Sequence, residues 1–336
     1  MPPIRDVMPA FELFQPASVS DALGVLNRHG ADAWVMAGGM DTFDWLKDRI
    51  KKPKVVVDLG MVNELRGIKD AGGGVEIGAM TTLTTIANDA MVKERFPMLS
   101  AAALIVASPQ IRNQGTLGGN VAQDARCWYY RAGWPCYRAG GNVCYADAPT
   151  SINREHAIFN ADRCVAVNPS DTAPALVALD AQFVIRNGDA ERVVSAEQFF
   201  IGPGIDITKL TSLQPGDLLT AIRIPNTFAG KAHYFEKVRD RQVWDFALVN
   251  IAASFGMSGS SIADARLVVN GVSATPYRLG AVEAFLRGKS RDKATADQAA
   301  DMAVEGAAPL LHNAYKIPLM KALVKRAIRG DAEWTS

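Results

Sequence analysis

The chain has 336 residues, 49% of them apolar and 21% charged, and its 36 basic and 35 acidic residues leave a net charge of +1. That length buries a large core and accommodates two or three domains, while the near-zero charge gives no electrostatic reason to expect a nucleic-acid partner. No run approaches the roughly 18 apolar residues of a membrane span, and Met1 to Asp6 lacks the pattern of a secretory signal, so the default compartment is the cytoplasm; export folded on a partner's signal would instead place the chain in the periplasm.

Residues 11–14 predict a short strand. Ser18 followed by Asp21 predicts a helix start of the capping-box kind, with Ala22, Leu23 and Leu26 on its inner face and Gly30 at its end. Residues 33–37 read as a second strand, Gly38-Gly39-Met40-Asp41 as a turn into a helix through Trp45 and Leu46, and residues 54–58 as a third strand. Strand, helix, strand, helix, strand is the order of parallel pairing through crossover connections.

A hairpin follows, with Asp70-Ala71-Gly72-Gly73-Gly74 as its turn and residues 75–79 as the departing strand. Its three glycines precede a strand instead of opening a helix, which makes them a turn and not a dinucleotide fingerprint. Thr81 or Thr82 caps a helix to about Asn88, and a small-residue-rich helix spans residues 97–106. Residues 174–179 read as helix, 181–186 as strand and 216–225 as a closing strand. In the last third, residues 234–238, 247–255 and 265–269 predict antiparallel strands, and Trp244-Asp245-Phe246 is expected to begin a core strand. Helices are expected over 279–287, 294–305 and 314–329, the last ending at Gly330.

Two loops share a grammar: Ala37-Gly38-Gly39-Met40-Asp41, and Gly115-Thr116-Leu117-Gly118-Gly119-Asn120. Consecutive glycines let successive N–H groups converge on one anion with no side chain in the way. Each pair taken alone reads more often as a turn than as a ligand site, but two such cradles suit a pyrophosphate gripped from both sides, as in a dinucleotide. Neither matches Gly-x-Gly-x-x-Gly and no Gly-Lys-Ser/Thr is present, so a Rossmann or P-loop reading fails.

All four cysteines, Cys127, Cys136, Cys144 and Cys164, fall in one segment with the spacing Cys-x8-Cys-x7-Cys-x19-Cys. Thiolates suit an iron–sulfur cluster or zinc, and four complete either site. The short knuckles of zinc ribbons are missing, yet spacing alone leaves cluster, zinc, free thiols and disulfides open. Trp128-Tyr129-Tyr130, Trp134 and Tyr137 serve equally as a shield for a cluster or as a small core. His29, His156, His233 and His312 match no metal spacing and read as surface or satisfied histidines.

Together Ala37 to Asp41, Ile77-Gly78-Ala79-Met80-Thr81, Ile111-Arg112-Asn113 through Asn120, Pro169-Ser170-Asp171 before Ala175, Phe246-Ala247-Leu248-Val249 and Asn313-Ala314-Tyr315-Lys316 form a distinctive set. On these residues the chain resembles the FAD-binding medium subunit of molybdenum hydroxylases, the family of xanthine dehydrogenase, carbon monoxide dehydrogenase and bacterial aldehyde oxidoreductases. The resemblance covers essentially the whole chain. It implies an α+β fold: two α/β lobes of the PCMH-type FAD-binding fold, residues 1–60 and 61–225, then a C-terminal antiparallel sheet with helices, residues 226–336.

The resemblance also implies that both glycine loops hold the FAD pyrophosphate, with Thr81, Asn113 and Ser170 in the binding set, Asp171 and Lys237 near the cofactor, and Leu218 or Leu219 against the flavin. Met40 stands where such loops usually carry Thr or Ser, which removes a hydroxyl contact. Most relatives run almost directly from Gly-Gly-Asn to Ser-Asp, whereas here an insert of roughly 40 residues intervenes, at about 124–165. It is similar to the insert that holds a [4Fe-4S] cluster in the medium subunits of 4-hydroxybenzoyl-CoA reductase and periplasmic aldehyde oxidoreductase, which implies Cys127, Cys136, Cys144 and Cys164 as ligands.

The function so implied is electron transfer in a heterotrimer. A large molybdopterin subunit oxidises the substrate, expected to be an aldehyde, and a small [2Fe-2S] subunit passes electrons to FAD on this chain for an external acceptor. The alternatives are a 4-hydroxybenzoyl-CoA reductase type of enzyme and a self-contained flavin oxidase with a structural zinc insert.

Overall fold

The computed structural model describes residues 8–330; the outermost parts of the first and last expected domains, and the Met1 to Asp6 stretch read for a signal, lie outside the described residues. The chain opens with β1 (Glu12–Phe14), α1 (Val19–His29), β2 (Ala33–Met36), α2 (Thr42–Lys47) and β3 (Val55–Asp58). The three strands form a parallel sheet in the order β1-β3-β2. β3 is central because Val55, Val56 and Val57 are β-branched and all buried, as a strand covered on both faces requires. α1 starts where the sequence places it: the Ser18 hydroxyl accepts from Asp21 N–H at 3.0 Å, and Val19, Ala22, Leu23 and Leu26 are buried against the sheet.

The next stretch contains β4 (Ile68–Asp70), β5 (Gly74–Gly78), α3 (Leu83–Asn88), α4 (Ala90–Arg95), α5 (Pro97–Leu104), α6 (Pro109–Gln114) and α7 (Leu117–Val121). After the short α8 (Trp128–Arg131) in the cysteine segment come α9 (Ala173–Ala178), β6 (Gln182–Asn187), β7 (Ala190–Ser195), α10 (Ala196–Phe199) and β8 (Leu218–Pro225). Its sheet, in the order β4-β5-β8-β6-β7, is antiparallel at every pairing. The sequence reading missed β7, an edge strand without buried positions that carries little apolar signal. Thr82 and not Thr81 caps α3, accepting from Thr85 N–H at 3.2 Å. The Thr81 hydroxyl instead bonds the main chain of Gly67 at 3.0 Å.

The final part holds β9 (Ala232–Val238), β10 (Val249–Ser258), β11 (Ser261–Asn270), β12 (Tyr277–Arg278), α11 (Gly280–Leu286), α12 (Lys293–Ala303) and α13 (Lys316–Arg329), with an antiparallel sheet in the order β12-β11-β10-β9. Val249, Ile251, Ala253 and Phe255 of β10 join a core with α11, α12 and α13, while the intervening Ala252, with Val268 of β11, packs into the core shared with α9. Two-sided burial makes β10 read as a continuous apolar run, and it seats the C-terminal sheet on the second lobe.

The expectation that Trp244-Asp245-Phe246 begins a core strand is overturned. Trp244 has φ of 55° and is 65% exposed, and β10 begins at Val249. The Asp245 carboxylate accepts from Arg241 N–H (2.9 Å) and Phe246 N–H (3.1 Å), so its side chain organises a turn in competition with a strand ladder.

Candidate functional site

The two glycine loops touch. A Cβ added to Gly38 would sit 2.1 Å from the Gln114 carbonyl oxygen, and one on Gly118 would sit 2.9 Å from both the oxygen and the Cβ of Ala79, so these approaches exist only because both positions are glycine. The loops form part of a cleft of ≈ 1470 Å³, counting space open to solvent, between the first two sheets, with Trp244, Asp245 and Phe246 at its edge. A largely apolar cleft with a few converging polar groups is the usual make-up of a small-molecule site.

Of the residues expected to bind a cofactor, Ala37, Gly38, Gly39, Met40, Asp41, Gly115, Thr116, Gly118, Gly119, Asn120, Asp171, Leu218 and Leu219 line this cleft. Thr81, Asn113, Ser170 and Lys237 do not. Asn113 is exposed and accepts from the Thr84 hydroxyl at 2.7 Å. Ser170 and Thr172 hydroxyls both donate to Asn120 Oδ1 at 2.7 Å, fixing that side chain. Lys237 Nζ lies 2.6 Å from Asp171 Oδ2 in a fully buried pair. Burial raises the Asp171 carboxyl, against the pull of Lys237, and the pair ties the second lobe to β9.

The loops differ in what they can offer an anion. In the second, Gly118 N–H already reaches Ala79 O (2.8 Å), Gly119 N–H the Thr116 hydroxyl (3.1 Å) and Asn120 N–H Thr116 O (2.9 Å). In the first, the amides of Gly39, Met40 and Asp41 bond no other main-chain carbonyl among the described residues. The first loop therefore holds most of the available donors, and the second is chiefly scaffold.

Asp41 does something the sequence did not suggest. Its carboxylate pairs with Arg126 and with Arg131 (2.8 Å) and accepts from Trp45 Nε1 (3.0 Å). Arg126 also lies over the Phe246 ring at 4.5 Å and lines the cleft. The first loop is thus clamped to the cysteine segment. Trp34, Ala107, Gln123, Asp124, Arg126 and Trp244 line the cleft as well; they come from separate parts of the chain, and no local spacing marks them.

All four cysteines line a second, smaller cavity, ≈ 320 Å³ counting space open to solvent, whose wall also includes Tyr129, Tyr130, Tyr137, Arg138 and Tyr145. None of the four is in a disulfide. The aromatic run divides its roles: Tyr129, Tyr130 and Tyr137 face the cavity, whereas Trp128 and Trp134 are exposed. Burial pushes the Cys127 thiol up to about 11, against N–H donors from Tyr130 and Tyr129 at the start of α8, with Cys164 and Cys144 nearby raising it further. Cys164 is also raised by burial, countered by the Ala166 N–H and by Arg138. Among the described residues no three His, Cys, Asp or Glu side chains converge tightly enough to hold a single metal ion.

His156, read from sequence as surface or satisfied, is buried with Nε2 3.3 Å from Cys127 Sγ. Burial, then Lys316, holds its pKa down at about 4, so the ring is neutral at physiological pH. Lys316, wholly buried at the start of α13, donates to the carbonyls of Glu155 (3.0 Å), His156 (2.9 Å) and Gly271 (2.5 Å), and Asn313 donates to those of His156 and Ala157. The C-terminal helix thereby fixes the segment leading to Cys164. Between cleft and cavity, buried Arg138 pairs with Asp124, which Lys51 also approaches at 3.2 Å. Burial acts to raise Asp124, but the Arg138 and Lys51 cations prevail and hold it below the usual carboxylate range.

Residues 9–227 match the family model described as the FAD binding domain in molybdopterin dehydrogenase, and residues 233–330 the CO dehydrogenase flavoprotein C-terminal domain. The carbon monoxide dehydrogenase medium chain of Hydrogenophaga pseudoflava is 30% identical over 333 residues, covering 98% of each chain. The aldehyde oxidoreductase FAD-binding subunit PaoB of Escherichia coli (strain K12) is 34% identical over 292 residues, covering 85% of this chain and 87% of that one. The solved carbon monoxide dehydrogenase from Hydrogenophaga pseudoflava matches with a TM-score of 0.77 over 98% of both chains at 30% identity.

Proposed function

The chain belongs to the family of FAD-binding medium subunits of molybdenum hydroxylases, and on that premise we propose that it is the flavin and iron–sulfur electron-transfer subunit of a heterotrimeric, aldehyde-oxidising, molybdenum-dependent oxidoreductase. The observation that carries the iron–sulfur part is the gathering of Cys127, Cys136, Cys144 and Cys164 around one cavity. Ligands of tetrahedral zinc, at a Zn–S distance near 2.3 Å, lie only about 3.8 Å apart. Four gathered thiols suit such a zinc site or a larger cluster, and what favours the cluster is that the insert is similar to those that hold [4Fe-4S] clusters in the family. The likeness to PaoB motivates the choice of an aldehyde.

The residues present fit FAD. The cleft has a cradle that a Cβ would fill at Gly38, free amides at Gly39 to Asp41, and an apolar wall from Leu218 and Leu219. When bound, FAD supplies two-electron and one-electron chemistry and a [4Fe-4S] cluster one-electron chemistry. The protein's part is to position. The first loop and α2 would take the pyrophosphate, Thr116 and Asn120 would hold the second loop against it, and the buried Asp171–Lys237 pair would keep the C-terminal lobe closed on the cleft. The cysteines would hold the cluster, with His156 at Cys127.

No described helix is long and apolar enough to cross a membrane. The expected partners are a large molybdopterin subunit and a small [2Fe-2S] subunit, in the cytoplasm or, carried by a partner's signal, in the periplasm. The test is to purify the tagged chain from its native host, assay molybdenum, and add an aldehyde without oxygen. Bleaching of the flavin absorbance in the complex, and none in the isolated chain, is the expected result. Oxidation of the aldehyde by the isolated chain would overturn the partner requirement.

A further inference from the structure

Arg138 is the one long cation on the wall of the four-cysteine cavity that is almost wholly buried, at 4% exposure. A buried guanidinium costs free energy unless its donors and its charge find partners. Two of its nitrogens do: Nη1 donates to Ile207 O at 2.9 Å, and Nη2 to Asp124. Its Nε, also buried, has no hydrogen-bond partner among the described residues. Orphaned buried donors are rare in folded proteins, and each calls for an acceptor that completes it. The residues that share the cavity wall with Arg138 are chiefly tyrosines, apolar side chains and the four thiols.

We propose that Arg138 is a positioning and potential-setting residue for the group held by the four cysteines, offering its free Nε–H and its charge to the sulfur atoms of that group. The proposal rests on the iron–sulfur reading of the cavity. Reduction adds a negative charge to a cluster whose thiolates already make it anionic, and a fixed cation in a water-poor site stabilises the reduced form more than the oxidised one. Hydrogen bonds to the sulfurs act in the same direction. Asp124 modulates the effect: it neutralises part of the Arg138 charge, and it lines the FAD cleft on its other side. One ion pair thereby spans the wall between the two sites.

The test is a redox titration of the intact complex, following the electron paramagnetic resonance signal of the reduced cluster at measured iron and sulfide content. At the potential where half the native clusters are reduced, Arg138→Gln is expected to lower the reduced-to-oxidised ratio about tenfold, a downward shift of about 59 mV for a one-electron couple. Asp124→Asn, which leaves the arginine unneutralised, is expected to raise the ratio about threefold. Opposite signs from the two halves of one ion pair would not arise from a merely structural role. Should Arg138→Gln lose its iron, Arg138→Lys, which keeps the charge without the Nε donor, takes its place with an expected fall of about threefold. Ratios within twofold of the native value in Asp124→Asn and in the iron-retaining Arg138 variant overturn the proposal. A native complex without acid-labile sulfide overturns the cluster reading instead, and is recognised before any variant is made.

Discussion

The cleft and the cysteine cavity lie side by side, share the Asp124–Arg138 pair, and are built on opposite principles. The cleft is made largely of main chain: two glycine loops brought together by the absence of side chains, each leaving a regular element of a packed lobe. The cavity is made of side chains on a segment with almost no regular structure, whose shape is held by the Asp124–Arg138 pair and, from outside, by Asp41 on Arg126 and Arg131, by Asn313 and by Lys316 of α13. The difference teaches where a site's strength resides. A cradle of backbone depends on local geometry, whereas a ring of thiols depends on distant clamps.

Each region can be damaged alone. Cys164→Ser removes one thiol and is expected to reduce bound iron from about four per chain to nearly none, while FAD content is unchanged. Full iron retention would remove Cys164 from the ligand set. Gly38→Val forces a Cβ onto the Gln114 carbonyl, and bound FAD is expected to fall more than about tenfold with iron retained. Normal flavin content in that variant would show that the loops can part without harm.

A third change probes the remote clamp. Lys316→Met removes the donor shared by three carbonyls, of which His156 O keeps Asn313, at about 1–3 kcal/mol for each of the two left unsatisfied, so denaturant unfolding is expected to report a loss of about 3 kcal/mol and proteolysis to cut first near residues 150–160. A loss below about 1 kcal/mol would mean that water takes over the carbonyls. The smallest effect concerns acid. Because Asp124 titrates below its ordinary value in the folded chain, its stabilising contribution is complete above that value, near pH 4, and is lost as pH falls through the lower folded one. Asp124→Asn is therefore expected to flatten the acid dependence of unfolding below about pH 4, by about 1 kcal/mol; an unchanged slope would place the acid sensitivity elsewhere.

The same contrast explains what could be read from the sequence. The β-branched run at Val55 to Val57, the Ser18 cap and the paired glycines are signals that act over a few residues, and they led to the first sheet, α1 and the cleft. Gly38 and Gly39 were less direct, since a pair of glycines taken alone is more often a turn; the matching second loop is what suggested a cradle. His156 carried no such signal, because its meaning comes from Cys127, 29 positions away. Lys316 was legible only as part of a family-like motif, and its role as a clamp follows from the fold. Trp244 to Phe246 misled for a related reason: the apolar pattern of a strand was present, but Asp245 spends its carboxylate on a turn. The Arg138–Asp124 pair left no trace in spacing, since neither residue belongs to a periodic pattern.

One chain is thus proposed to carry a flavin site and a separate four-thiolate cluster site. The most direct measurement is the ratio of FAD, iron, acid-labile sulfide and zinc in protein purified without oxygen. About one FAD with about four irons and four sulfides per chain, and no stoichiometric zinc, is the expected result. One zinc per chain without sulfide, or FAD with no metal at all, would contradict it.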